Sequence, residues 1–222
     1  GANLCFRSDR AANFVSQTPP LGCVQPGPNV TDLELERTTL PDLETAPDAR
    51  PRVLHLLVWL PRGGIETWLS HVFTHGANDP TVRHEVLIMR PEAGPLEAKV
   101  RAAGVPVHIL PMHNKLGWFV ALYRFLIRNG PFDIFHAHVD AIVAGPALAI
   151  AAAAKVPVRI AHNHAARLAG AEYQALRFRL REAIGNAFSA AFATARIAIS
   201  DMAMEQLAGP GWRDDPRCRI LL

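Results

Sequence analysis

Several classes of protein are excluded by what this chain of 222 residues lacks. Its three cysteines, Cys5, Cys23 and Cys218, are far apart and form no CxxC pair, so neither a zinc ribbon nor a disulfide framework is indicated. Neither sign of charge is in clear excess, with 23 Lys and Arg against 20 Asp and Glu. This balance argues against a dedicated nucleic-acid binder, and we predict no nucleic-acid partner. The longest apolar run, 141–154, is too short to cross a bilayer.

Two common nucleotide-binding fingerprints are also missing. The chain has no GxGxxG sequence and no GKS or GKT triplet. The second predicted strand ends in Met89-Arg90-Pro91, where a dinucleotide site needs an acidic residue. A dinucleotide cofactor and a P-loop ATPase are therefore disfavoured, and we predict no cofactor.

The first 50 residues differ in character from the rest. Prolines and polar residues are frequent there, and the apolar residues follow no sustained period. We predict a disordered or linker segment over 1–50. From Arg52 onward short apolar runs alternate with stretches of helical spacing, which predicts a folded domain over 51–222.

This alternation of strands and helices, without hairpin signals, predicts an α/β fold with a Rossmann-like doubly wound parallel sheet. The predicted strands are 53–58, 84–89, 105–110, 132–136, 156–161 and 196–200, and the predicted helices are 65–74, 95–103, 116–128, 140–154, 169–190 and 201–207. Such sheets bind ligands at the carboxyl ends of their strands. The loops that follow the strands are therefore the candidate sites.

Two adjacent glycines follow the first predicted strand. Gly63 and Gly64 let the backbone turn sharply, and free amide groups at the start of the next helix attract phosphate or hydroxyl oxygens. Arg62 adds a cation that can pair with a diphosphate. The alternative is a simple turn that lets the helix fold back on the strand.

Two HxH sequences stand at the ends of the fourth and fifth strands. His136 and His138 form the first, and His162 and His164, with Asn163 between them, form the second. Three interpretations remain open: a zinc site, a polar site that binds sugar hydroxyls or a diphosphate, or structural histidines that bond the backbone. The polar site is favoured for His138, and the structural role for His136 and His162. We predict no metal ligand among them, and we predict that Asp140, which follows the first pair, caps the next helix.

Four motifs in order resemble one family. They are RGGIE at 62–66, FDIFHAH at 132–138, VPVRIAHNH at 156–164 and AIS at 198–200. Together they resemble the N-terminal half of GT-B retaining glycosyltransferases, of the bacterial family 4-like type that builds capsules, exopolysaccharide and lipopolysaccharide. The resemblance extends from about Arg52 to Leu222.

The resemblance implies metal-independent, retaining transfer of a sugar from a nucleoside diphosphate to an acceptor hydroxyl. It places the Gly-Gly loop against the donor and His138 beside the transferred sugar, as the catalytic candidate. It implies acceptor-binding roles for Asn163, His164 and Ser200. The donor would be held mainly by a second domain with two glutamates, which is expected after the strand that begins near Arg217. We therefore expect the fragment to be inactive alone.

Two other functions stay open at this point. One is a metal-dependent hydrolase that uses His136, His138, His162 and His164, and the other is a non-catalytic module that binds a glycan or a partner. Metal analysis of the purified protein separates the first from the transferase, because a hydrolase would hold stoichiometric zinc.

A basic segment predicts a surface that could contact a membrane, which would suit an enzyme with a lipid-linked acceptor. Arg167, Arg177, Arg179 and Arg181 lie near Tyr173 and Phe178, and such a face attracts anionic headgroups. The alternative is a solvated helix face on which Glu172 and Glu182 pair with the arginines. We predict a cytoplasmic protein, with peripheral contact at the inner face of the membrane as the open alternative.

Overall fold

Seven parallel strands form a single sheet in the computed structural model, which describes residues 49–76, 81–92, 94–164 and 175–221. The strand order is β3-β2-β1-β4-β5-β6-β7, so the chain starts in the middle, builds one edge, and returns to build the other. The predicted Rossmann-like α/β fold is therefore confirmed. The linker predicted over 1–50 lies, up to residue 48, outside the described residues and stays a prediction.

The strands and helices alternate along the whole described domain. The strands are β1 (Arg52–Leu57), β2 (Arg83–Ile88), β3 (Val107–Ile109), β4 (Ile134–Ala137), β5 (Val158–Asn163), β6 (Ala195–Ala198) and β7 (Cys218–Ile220). The helices are α1 (Gly64–Gly76), α2 (Glu97–Ala102), α3 (Lys115–Asn129), α4 (Ala141–Ala153), α5 (Leu176–Phe192) and α6 (Asp201–Ala208). No described helix is long and apolar enough to cross a membrane.

Side chains alternate across the strands and fill the two faces of the sheet differently. On one face, Leu54, Leu56 and Phe135 belong to a large hydrocarbon core that includes the buried side of α4. On the other face, Val86 and Ile88 pack in a smaller apolar cluster that includes residues of α1 and α2. The first face carries most of the apolar burial, and the second leaves room for polar side chains.

The fifth strand begins and ends two residues later than predicted. Pro157 has no amide hydrogen to give to the sheet, and Lys155 turns the chain with a φ of 63°. The ladder therefore starts at Val158 and continues through Asn163. As a result His162 and Asn163 belong to the strand itself, and only His164 lies beyond it.

Two glycines let α4 and α5 pack in backbone contact. A methyl group built on Gly145 would overlap the carbonyl oxygen of Gly185, and one built on Gly185 would overlap the carbonyl oxygen of Ala141. The helix α4, which carries mostly small side chains, is thereby enclosed between the sheet and α5. This contact fixes the position of α5 relative to the strands.

Candidate functional site

The Gly-Gly turn opens α1 at the carboxyl edge of the sheet. Gly64 is the first residue of that helix and is exposed, and a Cβ built on it would have no neighbour within 4 Å. Arg62 is exposed beside it, and the carboxylate of Glu66 folds back over Gly63. The open space is therefore over Gly64, where a ligand can approach the backbone closely.

Six histidines share the α1 face of the sheet. Strand alternation places His84 of β2, His55 of β1, His136 of β4 and His162 of β5 on the same side, and His138 and His164 continue that side just beyond their strands. The ring of His55 packs edge-on against Phe73 of α1, at 5.0 Å between centroids. Trp68 of the same helix lies 6.2 Å from the ring of His164. Helix α1 thus covers a layer of imidazoles.

Four of these rings form an unbroken file of hydrogen bonds. The ring atom Nδ1 of His84 lies 3.0 Å from Nε2 of His55, and Nδ1 of His55 lies 3.0 Å from Nε2 of His138. The last link joins Nδ1 of His138 to Nε2 of His164 at 2.7 Å. The file crosses the sheet from β2 to the end of β5.

The remaining two histidines bond each other. Nε2 of His136 lies 3.1 Å from Nδ1 of His162, so these rings use each other instead of the backbone partners that the structural interpretation expected. Within the described residues, Nε2 of His162 is buried and has no hydrogen-bond partner. A buried nitrogen of this kind is unfavourable unless a ligand or a water reaches it.

Burial keeps five rings of this layer uncharged, those of His55, His136, His138, His162 and His164. Desolvation is the largest cause in each case, with repulsion from neighbouring histidines added for all of these rings except His164. It lowers the pKa of His55 to about 3, of His162 to about 2 and of His164 to about 4. The pKa values of His136 and His138 are also lowered well below 6.5. At neutral pH the rings can therefore donate and accept hydrogen bonds but carry no charge.

Two cavities meet at His164. The first is bordered by His138, Asn163 and His164 together with residues of α4, α5 and α6. The second, of about 360 Å³, is mainly apolar and is bordered by Gly64, Trp68 and His164. The Gly-Gly loop and both HxH sequences therefore surround one region at the carboxyl edge of the sheet.

Two predicted acceptor-binding residues already have partners within the fold. The side-chain amide of Asn163 points to the opposite face from His164 and donates to the carbonyl oxygen of Ala203. The hydroxyl of Ser200 caps α6 by accepting from the amide of Ala203. Of the three predicted acceptor residues, His164 alone belongs to the imidazole layer. Asp140 caps α4 as predicted, through the amide of Val143.

Sequence reasoning missed His55 and His84. Both lie inside predicted strands, for which the apolar runs predict burial, whereas functional polar groups are expected at the strand ends. The signal that identifies them is the period of two along a strand, since His55 is adjacent to His136 in the register of β1 and β4. Alternation shows which residues of one strand share a face with each histidine, and the strand order and register of the folded sheet then bring the rings into one layer.

Among the residues that the structure describes, two groups of three histidines have the spacing of metal ligands. The groups are His55, His136 and His138, and His138, His162 and His164, with one nitrogen of each ring within 4.8 Å of the others. Imidazole suits zinc and related ions, yet neither group contains a carboxylate or a thiolate. In the structure most of these nitrogens bond to one another, in the file and in the pair of His136 and His162, and Nε2 of His162 has no partner among the described residues.

Comparison of this sequence with family models and with known proteins finds matches to glycosyltransferases. A family model described as "Glycosyl transferase 4-like domain" matches residues 49–221. A Bacillus subtilis (strain 168) protein described as the glycosyltransferase EpsF is 30% identical over 119 residues, which are 52% of this chain and 30% of that protein. These matches favour the transferase over the hydrolase and the binding module.

Solved structures agree with the fold. The Anabaena protein Alr3699/HepE, solved in complex with UDP, has a TM-score of 0.56 at 14% identity and aligns with 78% of this chain and 43% of its own. The lipopolysaccharide outer core galactosyltransferase WaaB has a TM-score of 0.51 at 14% identity, over 77% of this chain and 44% of its own. The chain thus spans 30% of the length of EpsF and less than half the length of each of these two solved proteins.

Proposed function

The chain belongs to the glycosyl transferase 4-like domain family, and on that premise we propose that it is the acceptor-side domain of a retaining hexosyltransferase. The complete enzyme transfers a sugar from a nucleoside diphosphate to an acceptor hydroxyl. The observation that carries the proposal is the convergence of Gly64, His138 and His164 around one region at the carboxyl edge of the sheet. His138 is the catalytic candidate, and Gly63 and Gly64, with Arg62, contact the donor.

The chemistry that this site supports is positioning and hydrogen bonding. The amides at the start of α1 carry partial positive charge and face open space over Gly64, which suits donor phosphate oxygens. The neutral ring of His164 can hold a sugar hydroxyl through its Nδ1 atom. Both nitrogens of His138 bond to His55 and His164, so His138 acts on that hydroxyl through the ring of His164. Asn163 and Ser200 support acceptor binding by fixing α6 against the edge of the sheet.

The donor probe follows from the solved neighbours. Alr3699/HepE was solved with UDP, so UDP and UDP-hexoses are the first donors to test. The diphosphate is expected to rest against the Gly-Gly loop, with most of the binding energy supplied by a second domain. The acceptor is a glycan or a lipid-linked saccharide.

We expect the variant His138→Gln to lower kcat by about 100-fold in the complete polypeptide that the gene encodes. The amide can keep a hydrogen bond in the file but cannot relay a proton between His164 and His55 as a ring does. General acid–base groups contribute about 10²- to 10⁴-fold. The measurement is transfer from UDP-hexoses to a saccharide acceptor. His71→Gln is the matched control, because His71 is exposed on α1 and outside the imidazole file.

The isolated chain supplies a second test of the same proposal. It should catalyse no transfer and should bind UDP-hexose too weakly for a calorimetric titration at micromolar concentrations, since a pocket closed on one side excludes little water. Micromolar affinity of the isolated chain for UDP-hexose would refute the proposal that a second domain supplies most of the donor binding. Full activity of His138→Gln would refute the catalytic role of His138.

An exposed face of α5 supports a peripheral membrane contact. Leu176, Leu180, Ile184 and Phe188 follow one another at intervals of four residues and are all exposed, Leu176 by 81% and Leu180 by 59%. Arg177, Arg179 and Arg181 flank this stripe and are exposed as well. Arg167, Tyr173 and Glu172 lie outside the described residues, and Glu182 accepts a hydrogen bond from Gln206. An apolar stripe with basic flanks suits an anionic lipid surface.

We expect the chain to float with anionic vesicles and to stay unbound with neutral ones. Replacing Arg177, Arg179 and Arg181 with Gln should abolish flotation, because each basic residue near the surface contributes about 1 kcal/mol. The control replaces Arg124 and Arg128, two exposed arginines of α3, with Gln. Equal flotation with both kinds of vesicle, or equal loss in both variants, would rule out the α5 face.

A further inference from the structure

The imidazole file has a regular connectivity. Every link joins Nδ1 of one ring to Nε2 of the next, in the order His84, His55, His138 and His164. A neutral imidazole has one N–H donor and one bare acceptor nitrogen. The two inner rings therefore each donate one link and accept the other.

This connectivity allows two proton arrangements. In one, all four rings carry the proton on Nδ1, and each donates toward His164. In the other, all four carry it on Nε2, and each donates toward His84. A mixed arrangement would set two bare nitrogens or two N–H groups against each other at about 3 Å, which removes a hydrogen bond inside a buried layer. The tautomer of one ring thus fixes the tautomers of the other three.

We propose that His55 is a positioning residue that locks His138 and His164 into one shared tautomer with His84. It contacts no cavity that the ligand is expected to enter, and it acts through the ring of His138. His55 is buried at 4% exposure under Phe73, so its ring cannot turn away from the file without unpacking α1.

The shared tautomer decides what His164 presents at the cavity. With protons on Nε2, the Nδ1 atom of His164 is a bare lone pair, which accepts from a hydroxyl. With protons on Nδ1, the same atom is a donor and turns that hydroxyl around. Resting on the proposed function, we assign the Nε2 arrangement to the productive state, because an attacking hydroxyl must point its hydrogen away from the sugar carbon.

The burial of the layer agrees with this arrangement. Desolvation lowers the pKa of His55 to about 3 and that of His138 well below 6.5, so both rings are neutral at physiological pH. Neutral rings are the species that the two proton arrangements require. A charged inner ring would have to donate at both nitrogens and would break the sequence of donors and acceptors.

The test is the ring ¹⁵N spectrum of the histidines in this chain, labelled at His and treated with EDTA at neutral pH. Long-range couplings distinguish Nδ1–H from Nε2–H in each ring. We expect His55, His84, His138 and His164 to share one tautomer, on Nε2. Different tautomers within the four rings, a shared proton on Nδ1, or a metal that survives EDTA and takes the place of the protons would overturn the proposal.

Two matched variants separate positioning from packing. His55→Phe keeps an aromatic ring against Phe73 but removes both links, and it should move the ¹⁵N signals of His138 and His84 toward the average of two tautomers. His136→Phe makes the same change in the same layer and breaks only the link to His162. Equal signals of His138 in the two variants would contradict the role of His55. This spectrum needs neither a sugar donor nor turnover. The tautomer proposal can therefore be refuted while the proposed sugar transfer is upheld, and the sugar transfer can be refuted while the shared tautomer is observed.

Discussion

Lowering the pH from 7.5 to 4.5 is expected to unfold the described domain cooperatively, with a midpoint at roughly pH 5. The cause is the layer of buried neutral histidines. In the unfolded chain these rings take up protons below about pH 6.5, whereas the folded state holds the pKa of His55 at about 3 and that of His162 at about 2. The unfolded state therefore binds more protons throughout that window.

The sign follows from this difference in proton binding. The free energy of unfolding has its full value above about pH 6.5 and decreases as the pH falls below it. In this range each buried neutral ring lowers the free energy of unfolding by about 1.4 kcal/mol for every pH unit. The three most buried rings, His55, His138 and His162, together give about 4 kcal/mol for each pH unit. A domain with about 5–15 kcal/mol of stability, the usual range, loses all of it within about one to four pH units below pH 6.5. A midpoint at roughly pH 5 corresponds to a stability near the lower end of that range.

Circular dichroism and urea unfolding at a series of pH values measure this effect. The loss must begin near pH 6, above the range in which ordinary carboxylates titrate. His55→Phe should make the pH dependence shallower by about one proton, and His71→Gln should leave it unchanged. A free energy of unfolding that is flat between pH 7 and pH 5 would contradict the neutral layer.

The variant Gly145→Ala should cost about 3 kcal/mol of stability, and Gly185→Ala a similar amount. Either methyl group would overlap a backbone carbonyl oxygen of the facing helix, and a backbone cannot move aside as a flexible side chain can. Helix propensity acts in the opposite direction, since alanine is better than glycine in a helix by up to about 1 kcal/mol. A net loss in the free energy of unfolding therefore measures the overlap that the methyl group creates between α4 and α5.

Thermal unfolding gives the measurement and its control. A loss of 3 kcal/mol lowers the Tm of a domain of this size by about 10 °C. Gly211→Ala is the matched change, because Gly211 has a φ of −84° and a methyl group there has no neighbour within 4 Å. A Tm of Gly145→Ala equal to that of Gly211→Ala would show that the helices separate easily.

The sequence was sufficient for the fold because the fold depends on periodicity. The apolar runs at 53–58 and 84–89 and the helical spacing between them predict one strand-helix-strand unit, and the unit repeats. The limits of β5 were wrong by two residues, since Pro157 was included in the strand although it cannot donate to the ladder. The prediction that Asp140 caps α4 was right because a cap is a local interaction.

The site was only partly predictable because its partners are distant in sequence. His138 and His164 stand at strand ends and could be found from the loops alone. His55 contacts His138 across 83 residues, and that contact depends on the order of strands in the sheet, which the sequence does not show directly. The partners of Asn163 and Ser200 were likewise invisible, because α6 approaches them only after the sheet is complete.

Histidine layers of this kind restrict how the protein can evolve. Replacing any inner ring of the file by an apolar residue leaves two neighbouring nitrogens without partners, at about 1–3 kcal/mol each. Each single replacement of an inner histidine therefore destabilises the fold. The four histidines are expected to be kept together or lost together during evolution. Divergent relatives should therefore divide into those that keep all four rings and those that fill the same space with hydrocarbon.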